Sequence, residues 1–242
     1  MMTNDFPQTL IIAGTDSGGG AGITADLKTM RMRHVFATMV VVAVTAQNTL
    51  GVQDAFPMPT KMIDEQFASL AADLNIRACK TGMLADAEHV KAIVRNLKKY
   101  DFGPLTVDPV MIAKGGVPLL SEDAISVVRD ELVPLADLVT PNLPEAEKLT
   151  GMTITTEDEM VTAGKKLQAL GAKNVLVVDT HNTHGTGDTI SACITAERAK
   201  GHTMEEAIRT GKAYVEATIR DGINVGHGHG PLNHWAKIKE DD

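Results

Sequence analysis

The chain has 242 residues, 43% of them apolar, enough for a sizeable core in one large or two small domains. Its formal charge of −8, with acids and bases mixed along the chain, argues against general nucleic-acid binding, because that polyanion rewards a basic surface. Aromatic residues make up 3% and Trp235 is the one tryptophan, so the stacking surfaces of single-strand binders are not expected.

Cys79 and Cys193 stand far apart and outside any metal-ligand spacing, and read as buried free thiols in a reducing compartment. Residues 1–7 are polar and lack the basic and apolar runs of a signal peptide. The longest apolar run, residues 39–44, has strand length rather than membrane length. A cytoplasmic protein without a membrane partner is expected.

An apolar run over 9–13 ends in glycines and predicts a strand. Residues 23–34 have helical spacing, and the β-branched run 37–45 predicts a buried strand. A helix over 61–74, a strand over 78–81 and an amphipathic helix over 87–99 follow, the last with Val90, Ile93, Val94 and Leu97 on one face. Residues 105–107 predict a strand, 121–132 a helix opened by Ser121 or Glu122, and 138–140 another strand. Thr156 and Glu159 make a capping-box pattern for a helix over 156–170, which Gly171 ends. Residues 174–178 predict a strand, and 186–200 and 204–221 two last helices. Strands separated by helices imply an α/β fold, a mostly parallel sheet with helices on both faces, which binds ligands beyond the carboxyl ends of its strands. No repeat or linker interrupts residues 1–242, so a single domain is expected.

Chemistry concentrates at those strand ends. In Asn182-Thr183-His184-Gly185-Thr186-Gly187-Asp188, glycines free the backbone N–H groups to converge, and the following helix adds partial positive charge. That makes an anion hole for a transferring phosphoryl group, with Asp188 beside it to take a proton from a hydroxyl; a glycine turn with a capping aspartate is the plainer alternative. The loop Gly14-Thr15-Asp16-Ser17-Gly18-Gly19-Gly20-Ala21-Gly22 is no Walker loop, having no Gly-Lys-Ser/Thr, and no clean dinucleotide fingerprint. It reads as a substrate-side loop, with Asp26 either bonding a substrate amine or hydroxyl or sitting on a helix surface. Asn142 and Glu145 share one helical face and, with Asp108, form an oxygen-rich set suited to Mg²⁺; capping by Asn142 is the alternative. His227, His229 and His234 lack the partners of a tetrahedral site and read as a glycine-rich closing loop rather than zinc ligands.

In this order, from about Leu10 to Trp235, the segments resemble the hydroxymethylpyrimidine/phosphomethylpyrimidine kinases of thiamine biosynthesis, in the ribokinase superfamily. The matching stretches are Ile12-Ala13-Gly14-Thr15-Asp16, residues 19–29, 45–53, 80–84 and 108–111 with Lys114, 140–147, 182–187 and 226–234. The resemblance implies a ribokinase-like fold and phosphorylation of 4-amino-5-hydroxymethyl-2-methylpyrimidine, then of its monophosphate, with ATP and Mg²⁺. Carried over, Gly14, Asp26, Gln47, Met83 and Val110 would line the pyrimidine pocket. Gly185, Thr186 and Gly187 would form the anion hole, and Asp108, Asn142 and Glu145 would organise Mg²⁺ and the phosphates, with Asp108 and Glu145 as metal ligands. A homodimer is also implied, without an interface readable from the residues.

The chain departs from the family in two places. Asp188 stands where the family usually has cysteine and the wider superfamily aspartate, which favours the first phosphorylation over the second. After Val178 the family normally continues through Lys-Gly-Gly and a further β-segment over the nucleotide; here Asp179-Thr180-His181-Asn182 follows at once. Either the chain lacks that segment or the 242 residues leave it out. Pyridoxal or pyridoxine kinase is the closest rival, and a non-catalytic pyrimidine-binding relative the second. Against the first stands Gln47-Asn48-Thr49, which looks more like the pyrimidine enzymes.

Overall fold

The computed structural model describes residues 6–111, 119–178, 184–228 and 230–238. Lys114, Asn182, Thr183 and His229, named above, lie outside them. The elements run β1 (Gln8–Gly14), α1 (Gly22–Met32), β2 (Phe36–Asn48), β3 (Gly51–Pro57), α2 (Thr60–Asp73), β4 (Ala78–Thr81) and α3 (Ala87–Lys99). They continue β5 (Leu105–Val107), α4 (Glu122–Val127), β6 (Leu138–Val139), α5 (Leu143–Thr150), α6 (Glu157–Ala169), α7 (Thr186–Ala199) and α8 (Met204–Arg220).

The strands form one six-stranded sheet in the order β3-β2-β1-β4-β5-β6. All pairings are parallel except β2 with β3. The chain leaves β1 for β2 on one side and returns to β4 on the other, so the order switches beside β1. A parallel sheet opens a crevice at the carboxyl ends of the strands where that happens.

Every side chain of β1 is buried, and alternation divides them between two cores. Leu10 and Ile12 join Val40, Val42, Phe67, Val90 and Ile93 on the side of α2 and α3. Ile11 and Ala13 join Ile23, Met30, Ala192 and Ala196 of α1 and α7 on the other. Lys80 lies opposite Ile11 in the β1–β4 register, which puts a lysine on the α1/α7 face of the sheet.

Three local expectations need correction. The strand over 37–45 runs on to Asn48 and turns back into β3, whose exposed sequence, bounded by glycine and proline, carries little strand signal. The helix over 121–132 is α-helical only to Val127, continues as a π turn over Val128–Leu132 and closes as a 3-10 turn with a proline. Residues 174–178 run parallel to the edge of β6 but pair only through isolated bridges, Val139 with Val175 and Asn142 with Val178. Among the described residues no helix is long and apolar enough to cross a membrane.

Candidate functional site

A cavity of about 440 Å³ opens at the carboxyl ends of the strands. Of the residues singled out from the sequence, Gly14, Gln47, Met83, Asp108, Val110, Asn142, Glu145, Gly185, Thr186, Gly187 and Asp188 line it. Asp26 does not: it is fully buried in α1, behind the wall. The expectation that it touches a ligand in the cavity, or sits on a helix surface, gives way to a buried ion pair with Lys80.

The first wall is the loop after β1. Asp16 accepts at Oδ1 from Gly18 N at 2.7 Å, and at Oδ2 from Ala21 N at 2.8 Å and Gly20 N at 3.0 Å, so one carboxylate sets the turn. His184 Nε2 lies 3.3 Å from the same Oδ2, joining this loop to the residue that leads into α7. Burial works against the charge of Asp16, yet His184 and the backbone N–H groups together hold its carboxyl below the usual range. Thr45 N donates to Thr15 Oγ1, and Gln47 N to Ser17 Oγ, so the end of β2 is tied to the loop. Gln47 Oε1 is 3.3 Å from Thr45 Oγ1. A Cβ on Gly14 would collide with the methyl of Met83, which also lines the cavity.

The second wall is the start of α7. Gly185 caps it at φ 81°, a left-handed conformation that suits glycine, and a Cβ there would strike the Gly20 carbonyl. Thr189 N makes the first helical hydrogen bond, to Gly185 O at 2.9 Å, so the ladder begins after Asp188. Ser191, one turn on, has its one O–H within reach of Gly187 O at 2.8 Å and of Asp108 Oδ2 at 3.2 Å. It pins the Asp108 side chain, at the end of β5, to the helix.

The third wall is α5. Asn142 accepts from Glu145 N at 2.9 Å, and Glu145 Oε2 accepts from Asn142 N at 3.0 Å, a complete capping box. Glu145 Oε1 also accepts from Met111 N at 3.3 Å. The capping role is therefore real, and it aims a buried carboxylate into the cavity.

Behind these walls stands Lys80, fully buried. Its Nζ lies 2.6 Å from Asp26 Oδ1 and 4.0 Å from Asp188 Oδ1. Burial opposes its charge, but Asp26, Asp188 and Asp108 outweigh that and hold the ammonium above its ordinary pKa. Asp108, by contrast, is pushed up to about 7, first by burial and then by Asp188. Glu145 is pushed up to about 8 by burial and by Asp108. Among the described residues no group of three or more His, Cys, Asp or Glu side chains is placed to hold a metal by itself. His234 is buried against Thr189 Oγ1 at 3.2 Å and pushed down to about 4 by burial, while His227 is exposed. Gly228 N donates to Thr49 Oγ1 at 3.2 Å, laying the glycine-rich C-terminal segment on the β2–β3 turn.

Sequence reasoning passed over Lys80, Ser191 and the anchoring role of Asp16. Lys80 had a signal: a lysine inside a four-residue strand that is otherwise apolar or small. The chemistry of the whole is a dry set of carboxylates facing a helix start whose N–H groups and dipole favour anions.

A family model described as phosphomethylpyrimidine kinase matches residues 16–178 and again 177–233, so its two matches meet at Val178. A hydroxymethylpyrimidine/phosphomethylpyrimidine kinase of Haemophilus influenzae is 47% identical over 264 aligned positions, more than this chain has residues, covering 96% of this chain and 98% of that protein. The Bacillus subtilis pyridoxal kinase, solved as an ADP complex, superposes with a TM-score of 0.87 at 34% identity, over 96% of this chain and 98% of its own. The phosphomethylpyrimidine kinase of Clostridium difficile superposes with a TM-score of 0.81 at 39% identity, over 88% and 99%.

The raised carboxyls make stability pH-dependent. A group whose folded pKa lies above its unfolded value contributes stability that is fully present at low pH and lost as pH climbs to the folded value. Without divalent cations, the melting temperature should therefore fall between pH 5 and pH 8, through the values near 7 for Asp108 and 8 for Glu145. Asp108→Asn should flatten that fall, and calorimetry across the pH range checks both.

Proposed function

The chain belongs to the phosphomethylpyrimidine kinase family, and from that premise we propose how its cavity transfers a phosphoryl group. It is a phosphotransferase that uses ATP to phosphorylate the hydroxymethyl group of 4-amino-5-hydroxymethyl-2-methylpyrimidine and then its monophosphate, in thiamine biosynthesis. The observation that carries the mechanism is the meeting, in one cavity, of the glycine turn at 185–187 with Asp108, Glu145 and Asp188.

Phosphoryl transfer asks a protein for positioning and charge neutralisation rather than covalent chemistry. In our proposal the substrate hydroxyl is seated against Asp188, which takes its proton as the oxygen attacks the γ-phosphorus. The backbone N–H groups of residues 185–187 stabilise charge on the transferring group at the positive end of α7. Gly14, Gln47, Met83 and Val110 face the heterocycle, and the Gln47 amide, which both donates and accepts, suits its polar edge. Asp26 acts from behind the wall rather than by touching the substrate.

Asp108, Asn142 and Glu145 serve the phosphate end. A Mg²⁺ ion fits there, because burial pushes Asp108 and Glu145 toward neutrality and a bound cation would reverse that cost. Asp108 and Glu145 would hold it, and it would supply charge neutralisation on the phosphates. Both Glu145 oxygens already accept backbone N–H groups, so Glu145 contributes an oriented charge. Residues 1–242 act in this proposal as one kinase domain, in a cytoplasmic homodimer.

Likeness to the Bacillus subtilis pyridoxal kinase favours a second reading, pyridoxal phosphorylation. ADP release measured with hydroxymethylpyrimidine, its phosphate and pyridoxal separates the two. The Asp188 carboxylate repels a substrate that is already phosphorylated. Hydroxymethylpyrimidine should therefore give the highest kcat/KM, ahead of its monophosphate, with pyridoxal behind; equal or better turnover of the monophosphate would sink the charge argument.

Asp188→Asn keeps the shape and removes the base. It should lower kcat by at least about 100-fold while leaving the dissociation constant for the pyrimidine nearly unchanged. Turnover above a few per cent of the parent's contradicts the role. If the chain truly lacks the family segment after Val178, the nucleotide side should be weaker, since only residues 179–183 then separate Val178 from His184; the mass of the intact chain, 25.8 kDa for a true absence, decides that first. Steady-state kinetics should give a KM for ATP above about 1 mM, beyond the usual enzyme range; a micromolar value refutes this.

A further inference from the structure

We propose that Lys80 is a positioning residue for the transfer: its buried ammonium anchors the Asp188 carboxylate at the mouth of α7, with Asp26 as the counter-charge that lets Lys80 stay inside. The proposal rests on the kinase reading above and names a residue that reading does not use.

The observations are geometric. Lys80 has no exposed surface, and lysines are almost never buried so fully unless paired. Its strand, β4, lies at the switch point of the sheet, and its side chain shares the α1/α7 face with Ile11. One acid comes from each flanking helix: Asp26 from α1 at 2.6 Å, and Asp188 from the first turn of α7 at 4.0 Å. Asp26 alone would neutralise the lysine.

Asp188 is the member that reaches the cavity, with 14% of its side chain exposed, while Asp26 has none. The contact at 4.0 Å is longer than a hydrogen bond, so it works by charge. Charge acts strongly there, because the intervening space is protein rather than water.

Asp108 defines what Lys80 prevents. It sits at the end of β5 and is held toward α7 by Ser191. Asp108 and Asp188 are two carboxyls in one wall of the cavity, and whenever both are ionised repulsion would drive the freer one, Asp188, out toward solvent. A cation behind both keeps Asp188 turned in, where a substrate hydroxyl meets it. Lys80 thus acts through Asp188 and touches no substrate.

The test is a variant set assayed by ADP release with the hydroxymethyl substrate. Lys80→Met alone strands Asp26 as a buried charge and risks unfolding, so it is combined with Asp26→Asn. Folded K80M/D26N should lose at least about tenfold in kcat, with the pyrimidine KM within about threefold of the parent. Lys80→Arg, which keeps a cation, should recover most of that loss. In an Asp188→Asn background, K80M/D26N should cost nothing further, because the interaction it removes is already gone.

Near-parental kcat in K80M/D26N, or an undiminished loss in the Asp188→Asn background, would overturn the proposal and leave Lys80 as a structural partner of Asp26. If K80M/D26N does not fold, the Lys80 ¹⁵Nζ resonance decides: Asp188→Asn should shift it, and an unmoved resonance overturns the proposal. Failure of the kinase reading looks different. The parent would then release no ADP, or Asp188→Asn would keep its turnover, while the resonance would still report whether Lys80 and Asp188 are in contact.

Discussion

A charge buried beneath the site governs how this structure is assembled. Lys80 and Asp26 form an ion pair with no exposed surface on either side chain. Desolvating two ions is expensive, and removing one partner typically costs about 3–5 kcal/mol because the other is left unpaired. The pair therefore constrains its surroundings: α1 must pack where Asp26 meets β4, and α7 must begin where its first turn adds a second carboxylate. Both helices share the core of Ile11, Ala13, Ile23 and Ala192 on that face. Apolar packing holds the helices on the sheet, and the buried ion pair ties α1 to β4.

The cavity depends on backbone as much as on charge. Gly185 lies against the Gly20 carbonyl, and Gly14 against Met83, so two loops approach closer than side chains would permit. Asp16 and His184 bridge the same two loops. Backbone donors, a helix start and buried carboxylates thus share one cavity. In such a space carboxylates shift toward neutrality unless a cation faces them. Lys80 supplies one from below and draws Asp26 and Asp108 down, but burial outweighs it and both stay raised, as does Glu145.

Much of this was legible in the sequence, for physical reasons. Parallel strands buried on both faces read as apolar runs, and helices on a sheet keep a 3.6-residue period, so β1, α3 and α6 stood out. Glycine turns at strand ends marked Gly14 and residues 185–187. The hidden parts were those whose meaning is set by distant neighbours. β3 is exposed and carries no alternating apolar pattern, and is a strand only because β2 pairs with it. Asp26 is three-dimensional information: spacing on α1 does not reveal that the facing strand carries a lysine. Asn142 and Glu145 were read either as a cap or as phosphate-side ligands; the capping box is present, and it leaves both residues lining the cavity.

The departure after Val178 bears on two tasks of a kinase, holding the nucleotide and transferring its phosphoryl group. Val178 is tied to Pro141 beside β6, and both Val178 and His184 line the cavity. Only residues 179–183 lie between them in the 242-residue sequence. The parts argued to act on the transferring group, residues 185–188 with Asp108 and Lys80, are set by β4, β5 and α7 and do not depend on that connection. If the chain truly lacks the longer family segment, the cost should fall on holding the nucleotide rather than on the chemical step. Binding lost equally in ground and transition states raises KM and leaves kcat alone. A chain built this way can keep its transfer machinery intact while loosening its hold on ATP, and the surviving specificity then rests on the acceptor side, where Asp188 sits.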